Sequence, residues 1–252
     1  MPSALVQVFL YHKKYPTITV RLSLQSAGLF HQPPMLSPSS VKSSFFVVYA
    51  LLFGTALVTF IESLRTTSRA ARHILNLETA VSLVAGFFYG VFVTMSQRED
   101  FALEAITPLR YMDWAITTPV LLLVFLLFFN YYNQEDLRAR DLLIVVALNY
   151  VMLAAGYLAE TGRCSRVTGG IVRFAAFFAM VAFIYAKFVH GAVQRHLLGV
   201  FAAFVAIWGA YGIAYMLRDD ADKNAAYNVL DVCSKVFLGL FIWSYFGGVM
   251  AL

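Results

Sequence analysis

From about residue 43 onward the chain alternates long apolar stretches with short polar ones, and each apolar stretch approaches or exceeds the roughly 20 residues a helix needs to cross about 30 Å of hydrocarbon. Seven such stretches are predicted, near 43–64, 73–96, 102–129, 140–159, 168–190, 195–217 and 225–251. None shows the short apolar-polar alternation of a lipid-facing strand, so a β-barrel is excluded and an all-α bundle of seven transmembrane helices is expected. The connections are short and polar, as in Ser96-Gln97-Arg98-Glu99-Asp100 and Arg218-Asp219-Asp220-Ala221-Asp222-Lys223-Asn224, which makes consecutive helices antiparallel neighbours.

Composition turns this pattern into a class. With 60% hydrophobic and 13% charged residues and a mean hydropathy of +0.72, the chain is not a soluble domain but an integral, multi-pass membrane protein whose main partner is the lipid bilayer. Nothing in it suggests a nucleic-acid partner or an enzyme. Arg65, Arg69, Arg72, Arg138, Arg140, Lys187 and Arg195 fall in the loops after the odd-numbered spans, against Arg98, Arg163, Arg166, Arg218 and Lys223 in the others. By the positive-inside rule the amino terminus is expected outside and the carboxyl terminus in the cytoplasm. Residues 1–42 form a separate stretch ahead of the 43–252 helical domain. They carry Lys13, Lys14 and Arg21, several hydroxyl residues, no acid and a Pro-rich end, a composition that suits either an organellar transit peptide or a plain basic extension. Cys164 and Cys233 are placed too differently to suggest a disulfide, and no metal-ligand spacing is present.

Candidate chemistry comes from charge where lipid should forbid it. Asp231 and Lys235 stand one helical turn apart in the last span, where each unpaired charge costs roughly 3 kcal/mol. In the third span Arg110, Asp113 and Thr117 share one helix face. Two readings stay open at this level. The charges form a buried ion-pair network that locks the third and seventh helices together. Alternatively, Lys235 is a nucleophilic amine that condenses with an aldehyde, and Asp231 and Asp113 balance the cation while Arg110 keeps both carboxylates ionised. Trp114, Trp208, Tyr211 and Tyr215 add flat aromatic surfaces suited to a conjugated ligand.

The block Arg110-Tyr111-Met112-Asp113-Trp114-Ala115-Ile116-Thr117-Thr118-Pro119, these aromatic residues, and Asp231-Val232-Cys233-Ser234-Lys235 together resemble the microbial rhodopsin family over nearly everything after the amino-terminal extension. Arg72-His73-Ile74-Leu75-Asn76-Leu77-Glu78-Thr79 and Phe60-Ile61-Glu62-Ser63-Leu64-Arg65 resemble in particular the viral rhodopsins of large algal viruses and their relatives in marine protists. The resemblance implies a light-sensitive protein with all-trans retinal held as a protonated Schiff base on Lys235. It further implies Asp113 and Asp231 as counterions, with Asp113 the proton acceptor; Arg110 beneath them; Thr117 beside the acceptor; and Tyr211 orienting Asp231. Trp114 and Trp208 would sandwich the polyene. Tyr215, Thr118, Leu121, Met152 and Asn149 complete the pocket, with Leu121 matching the green-absorbing choice and Asn149 pairing with Thr118. Assembly as a pentamer or trimer is also implied.

Departures from the family pattern bear on transport. Val124 stands where outward proton pumps usually carry a proton-donating acid, and Gly212 and Tyr215 replace a common proline and tryptophan. Glu78, deep in the second span, is the candidate substitute donor, in a constriction with Asn76 and Trp243; the alternative is an acid that reaches the headgroups. Glu104, Asp219, Asp220 and Asp222 are candidate release groups, and Glu62 with Arg65 reads as a surface pair. A light-driven outward proton pump is expected first. A light-gated cation channel is the alternative, favoured by Val124 and by Asn149 and Asn228, and a sensory photoreceptor is third.

Overall fold

The computed structural model describes residues 37–252 except 135, 191–194 and 250–252. The 1–42 extension thus lies mostly outside the described residues. Seven helices follow one another: α1 (Pro38–Arg65), α2 (Arg69–Ser96), α3 (Ile106–Asn133, after a short 3-10 turn), α4 (Ala139–Glu160), α5 (Arg166–Ile184), α6 (Arg195–Met216) and α7 (Asp220–Phe246). No strand occurs among the described residues, and all seven helices are long and apolar enough to cross a membrane. Hydrocarbon offers the backbone no hydrogen-bond partners, so each span satisfies its own amides as a helix. Consecutive helices pack on each other, and α7 closes the ring against α1, α2 and α6. Phe46, Leu57, Phe87, Ile116, Leu143, Phe178 and Ile213 are exposed on the outside, where lipid would meet them.

Local chemistry sets the ends and the irregularities. Ser37, Ser68 and Ser165 cap α1, α2 and α5 by accepting from the backbone N–H of Ser40, Ala71 and Thr168. Asp219 caps α7, accepting from Ala221 N–H at 2.8 Å and Asp222 N–H at 3.0 Å. Consequently α7 begins at Asp220, five residues before the expected 225, and its first turn is the polar stretch that reads as a loop in sequence. Those polar residues enter the helix because they have partners inside the bundle. Pro119 in α3 cannot donate to the carbonyl of Ala115; the Tyr150 hydroxyl on α4 donates to it instead, at 3.0 Å. At the other end of α6, Arg166 Nη2 donates to the terminal carbonyls of Tyr215 and Leu217.

Two helices contain a π-helical turn, at Tyr185–Val189 in the continuation of α5 and at Val232–Phe237 in α7. The second contains Lys235. Such turns concentrate at functional sites because the extra residue re-aims the side chains around it.

Candidate functional site

Helix α7 presents Lys235 to the middle of the bundle, where the side chain is 1% exposed. Its Nζ donates to Asp113 Oδ2 on α3 at 2.7 Å and lies 3.4 Å from Asp231 Oδ1, one turn back on α7. Both carboxylates are completely buried. Asp231 is the hub. It accepts from Tyr211 on α6 and Tyr89 on α2, each at 2.7 Å, and from the indole N–H of Trp114 and from Arg110 Nη1, each at 3.2 Å. Thr117 donates to its own helix at the carbonyl of Asp113 and approaches that carboxylate at 3.3 Å. The buried charges are therefore paired and hydrogen-bonded, as burial demands.

Beside Lys235 is a cavity of about 30 Å³ lined by Trp114, Thr118, Leu121, Met152, Leu153, Arg173, Trp208, Tyr211, Ser234 and Lys235. It meets a larger apolar cleft of about 500 Å³ between α6 and α7, with Trp208 and Ser234 lining both. Asn149 does not line it but donates to Thr118 at 2.8 Å, which orients that hydroxyl. Tyr215 is not part of the lining either. Its ring lies against Arg166 and Arg173, at 5.5 and 5.1 Å, and its hydroxyl donates to the carbonyl of Arg166. A tyrosine at this position finds a polar partner that an apolar pocket would deny it.

Toward the face where α7 ends, Glu78 on α2 is wholly buried and neither carboxyl oxygen has a hydrogen-bond partner. It faces Gly239 on α7 and the α1 threonines: a Cβ added at Gly239 would sit 3.4 Å from Glu78 Oε2 and 2.7 Å from the methyl of Thr55. Asn76 is exposed, so the expected three-residue constriction with Trp243 does not form; residues two apart on a helix point in different directions. Val124 is buried in a small apolar cluster with Ile74, Leu75 and Ile242. Glu62, expected on the surface, is 7% exposed and lies 3.9 Å from Arg65.

Toward the opposite face, Arg110 Nη2 donates to Asn228 at 2.8 Å and Asn224 at 3.2 Å, and Asn228 in turn donates to Ser44 on α1. Beyond it, Glu160 at the end of α4 accepts from the hydroxyls of Tyr111 and Tyr227 and lies 3.4 Å from Lys223. Residues of this group enclose a space with no room for a water molecule. The candidate release acids take other places: Glu104 is exposed, Asp219 caps α7, and Asp220 pairs with Lys223 at 2.8 Å. Sequence reading missed Glu160, Lys223, Tyr89, Tyr227 and Arg173. The usable signal was weak: Glu160 and Lys223 look like ordinary residues at membrane edges, whereas Arg173, inside an apolar span, was visible as an anomaly.

A ring of seven membrane-length helices around a buried lysine, itself held between two aspartates and beside a cavity lined by two indoles, defines the microbial rhodopsin class. The chain belongs to that class by descent as well: residues 40–248 match the family model for bacteriorhodopsin-like protein. The chain is 25% identical over 215 residues to the green-light absorbing proteorhodopsin of Gamma-proteobacterium EBAC31A08, covering 80% of this chain and 84% of that one. Among solved structures, viral rhodopsin OLPVRII is 36% identical, with a TM-score of 0.79 over 84% of this chain and 100% of that one. The proton pump of Leptosphaeria maculans shares the fold at 20% identity and a TM-score of 0.66, over 82% of this chain and 96% of that one. Membership implies a retinal chromophore. The donor set suits it: a desolvated amine with two anions at one end of a cavity whose walls are flat and mostly apolar.

Proposed function

We propose that the protein is a light-driven outward proton pump that binds all-trans retinal through Lys235, with the amino terminus outside. The single observation that carries this reading is the placement of buried acids on opposite sides of Lys235. Asp113 and Asp231 bracket Nζ from the side of α7 that begins the helix, while Glu78 lies against Gly239, one turn, about 6 Å, beyond Lys235. Retinal, when bound, supplies isomerisation by light, and the nitrogen that would lose and regain a proton is Lys235 Nζ itself. Asp113, at 2.7 Å, is placed to take that proton, and Thr117 stabilises the carboxyl. Asp231 stays charged because Arg110, Tyr89, Tyr211 and Trp114 all donate to it. Glu78, buried with no cation beside it, holds a proton at rest and can return one to the nitrogen. Glu160 and its tyrosines, past Arg110, offer an exit on the outer side. The description of the Leptosphaeria maculans neighbour as a light-driven proton pump supports the same mode.

The test is whole-cell voltage clamp under illumination. A pump gives current of one sign at all potentials, together with acidification of the medium. The alternative, a light-gated cation channel, rests on Val124 in place of the usual donor; its current reverses near a cation's equilibrium potential. Glu78→Gln separates the steps. Flash photolysis should show the recovery of the protonated pigment slowed at least tenfold, and external azide should restore it; an unchanged recovery removes Glu78 from the cycle.

A further inference from the structure

Arg173 on α5 is 4% exposed, lines the Lys235 cavity from the wall formed with Met152 and Leu153, and belongs to no step proposed above. It also lines a second small space, shared with Met152 and Trp208 and bounded by Phe174, Phe177, Gly209 and Gly212. Helix α5 packs mainly against α4 and α6, so Arg173 and Lys235 reach the cavity from different helices. Arg173 has no ion pair among the described residues, and its Nη1 has no hydrogen-bond partner. The Tyr227 hydroxyl accepts from the guanidinium, and Glu160, engaged by Tyr111, Tyr227 and Lys223, acts on it electrostatically without forming an ion pair. The ring contact of Arg173 with Tyr215 at 5.1 Å and the small Gly156 make room for the guanidinium: a Cβ at Gly156 would sit 3.2 Å from Arg173 Nη1 and 2.5 Å from the Tyr111 hydroxyl.

We propose that Arg173 is a colour-determining residue: a fixed cation at the end of the chromophore pocket away from Lys235, which raises the excitation energy of the bound polyene. The inference rests on the reading that retinal is held at Lys235. On absorbing light, a cationic polyene shifts positive charge from its nitrogen toward its ring. A permanent cation near the ring opposes that shift, destabilises the excited state more than the ground state and moves the band to shorter wavelength. An arginine is suited to this because it keeps its charge under all conditions, and low-dielectric surroundings screen it little.

Three spectra decide the matter, each recorded on the full chain reconstituted with all-trans retinal. Arg173→Gln should move the visible band to longer wavelength by on the order of 10 nm or more, and Arg173→Lys, which keeps the charge, should shift it by less than half as much. A Gln band that stays in place or moves to shorter wavelength overturns the proposal. Should the Gln variant fail to fold, the native protein still answers with a retinal analogue whose ring double bond is saturated, so that conjugation stops short of Arg173. Its shift on binding, in wavenumbers relative to the free protonated compound, should exceed that of retinal; an equal or smaller shift overturns the proposal. If the native chain forms no pigment at all, the retinal reading itself has failed, an outcome distinct from a pigment that does not shift.

Discussion

At Asp231 four donors from three different helices converge on one carboxylate, and this is what permits two acids, a lysine and an arginine to share a dry interior. Removing the acceptor should therefore cost more than any single contact. Asp231→Ala leaves Arg110 facing tyrosine and asparagine alone and should lower stability by about 3–5 kcal/mol, measured by unfolding in sodium dodecyl sulfate of the retinal-free protein. Lys235→Ala acts on the ligand: incubation with retinal should yield no visible band, whereas the helical content by circular dichroism stays native. A visible band in that variant would refute attachment at this residue. Sequence alone made most of these residues legible, because a charge inside a membrane-length apolar run stands out. Tyr89 and Tyr227 did not, since a tyrosine in such a run looks the same whether it packs or donates.

Helix α3 carries Pro119 in its interior, and α4 returns the lost hydrogen bond, so the cost of the proline is distributed over two elements. Tyr150→Phe should strip the Ala115 carbonyl of its donor and destabilise the bundle by roughly 1 kcal/mol, with a rise in the rate of thermal bleaching as the readout. Between α1, α2 and α7 the packing is tighter. Gly239→Val places a branched side chain against the Thr55 methyl and beside Glu78, and overpacking of this kind costs about 1–3 kcal/mol. The same change should alter the recovery rate after a flash, because the acid it crowds is the proposed donor. The lengths of the apolar runs located these helices but not their ends. The Ser68 cap and the polar first turn of α7 extended two of them, and polar residues with partners across the bundle are invisible to a hydropathy window.

For the whole molecule, the seven-helix ring was legible from apolar run lengths alone, and the family match over residues 40–248 gives it a lineage. Less legible were the long-range pairings that span the ring: Glu160 on α4 with Lys223 on α7, and Glu78 on α2 against Gly239 on α7. Such pairs depend on which helix faces meet, and rotation about a helix axis is fixed by packing rather than by composition. On the far side of Arg110 the enclosed space around Glu160, Lys223 and Tyr227 has no room for a water molecule, and on the other side Val124 is wedged among Ile74, Leu75 and Ile242. In the proposed pump, those two dry stretches would block leakage of ions in darkness, so that a membrane crowded with the protein keeps its voltage between flashes.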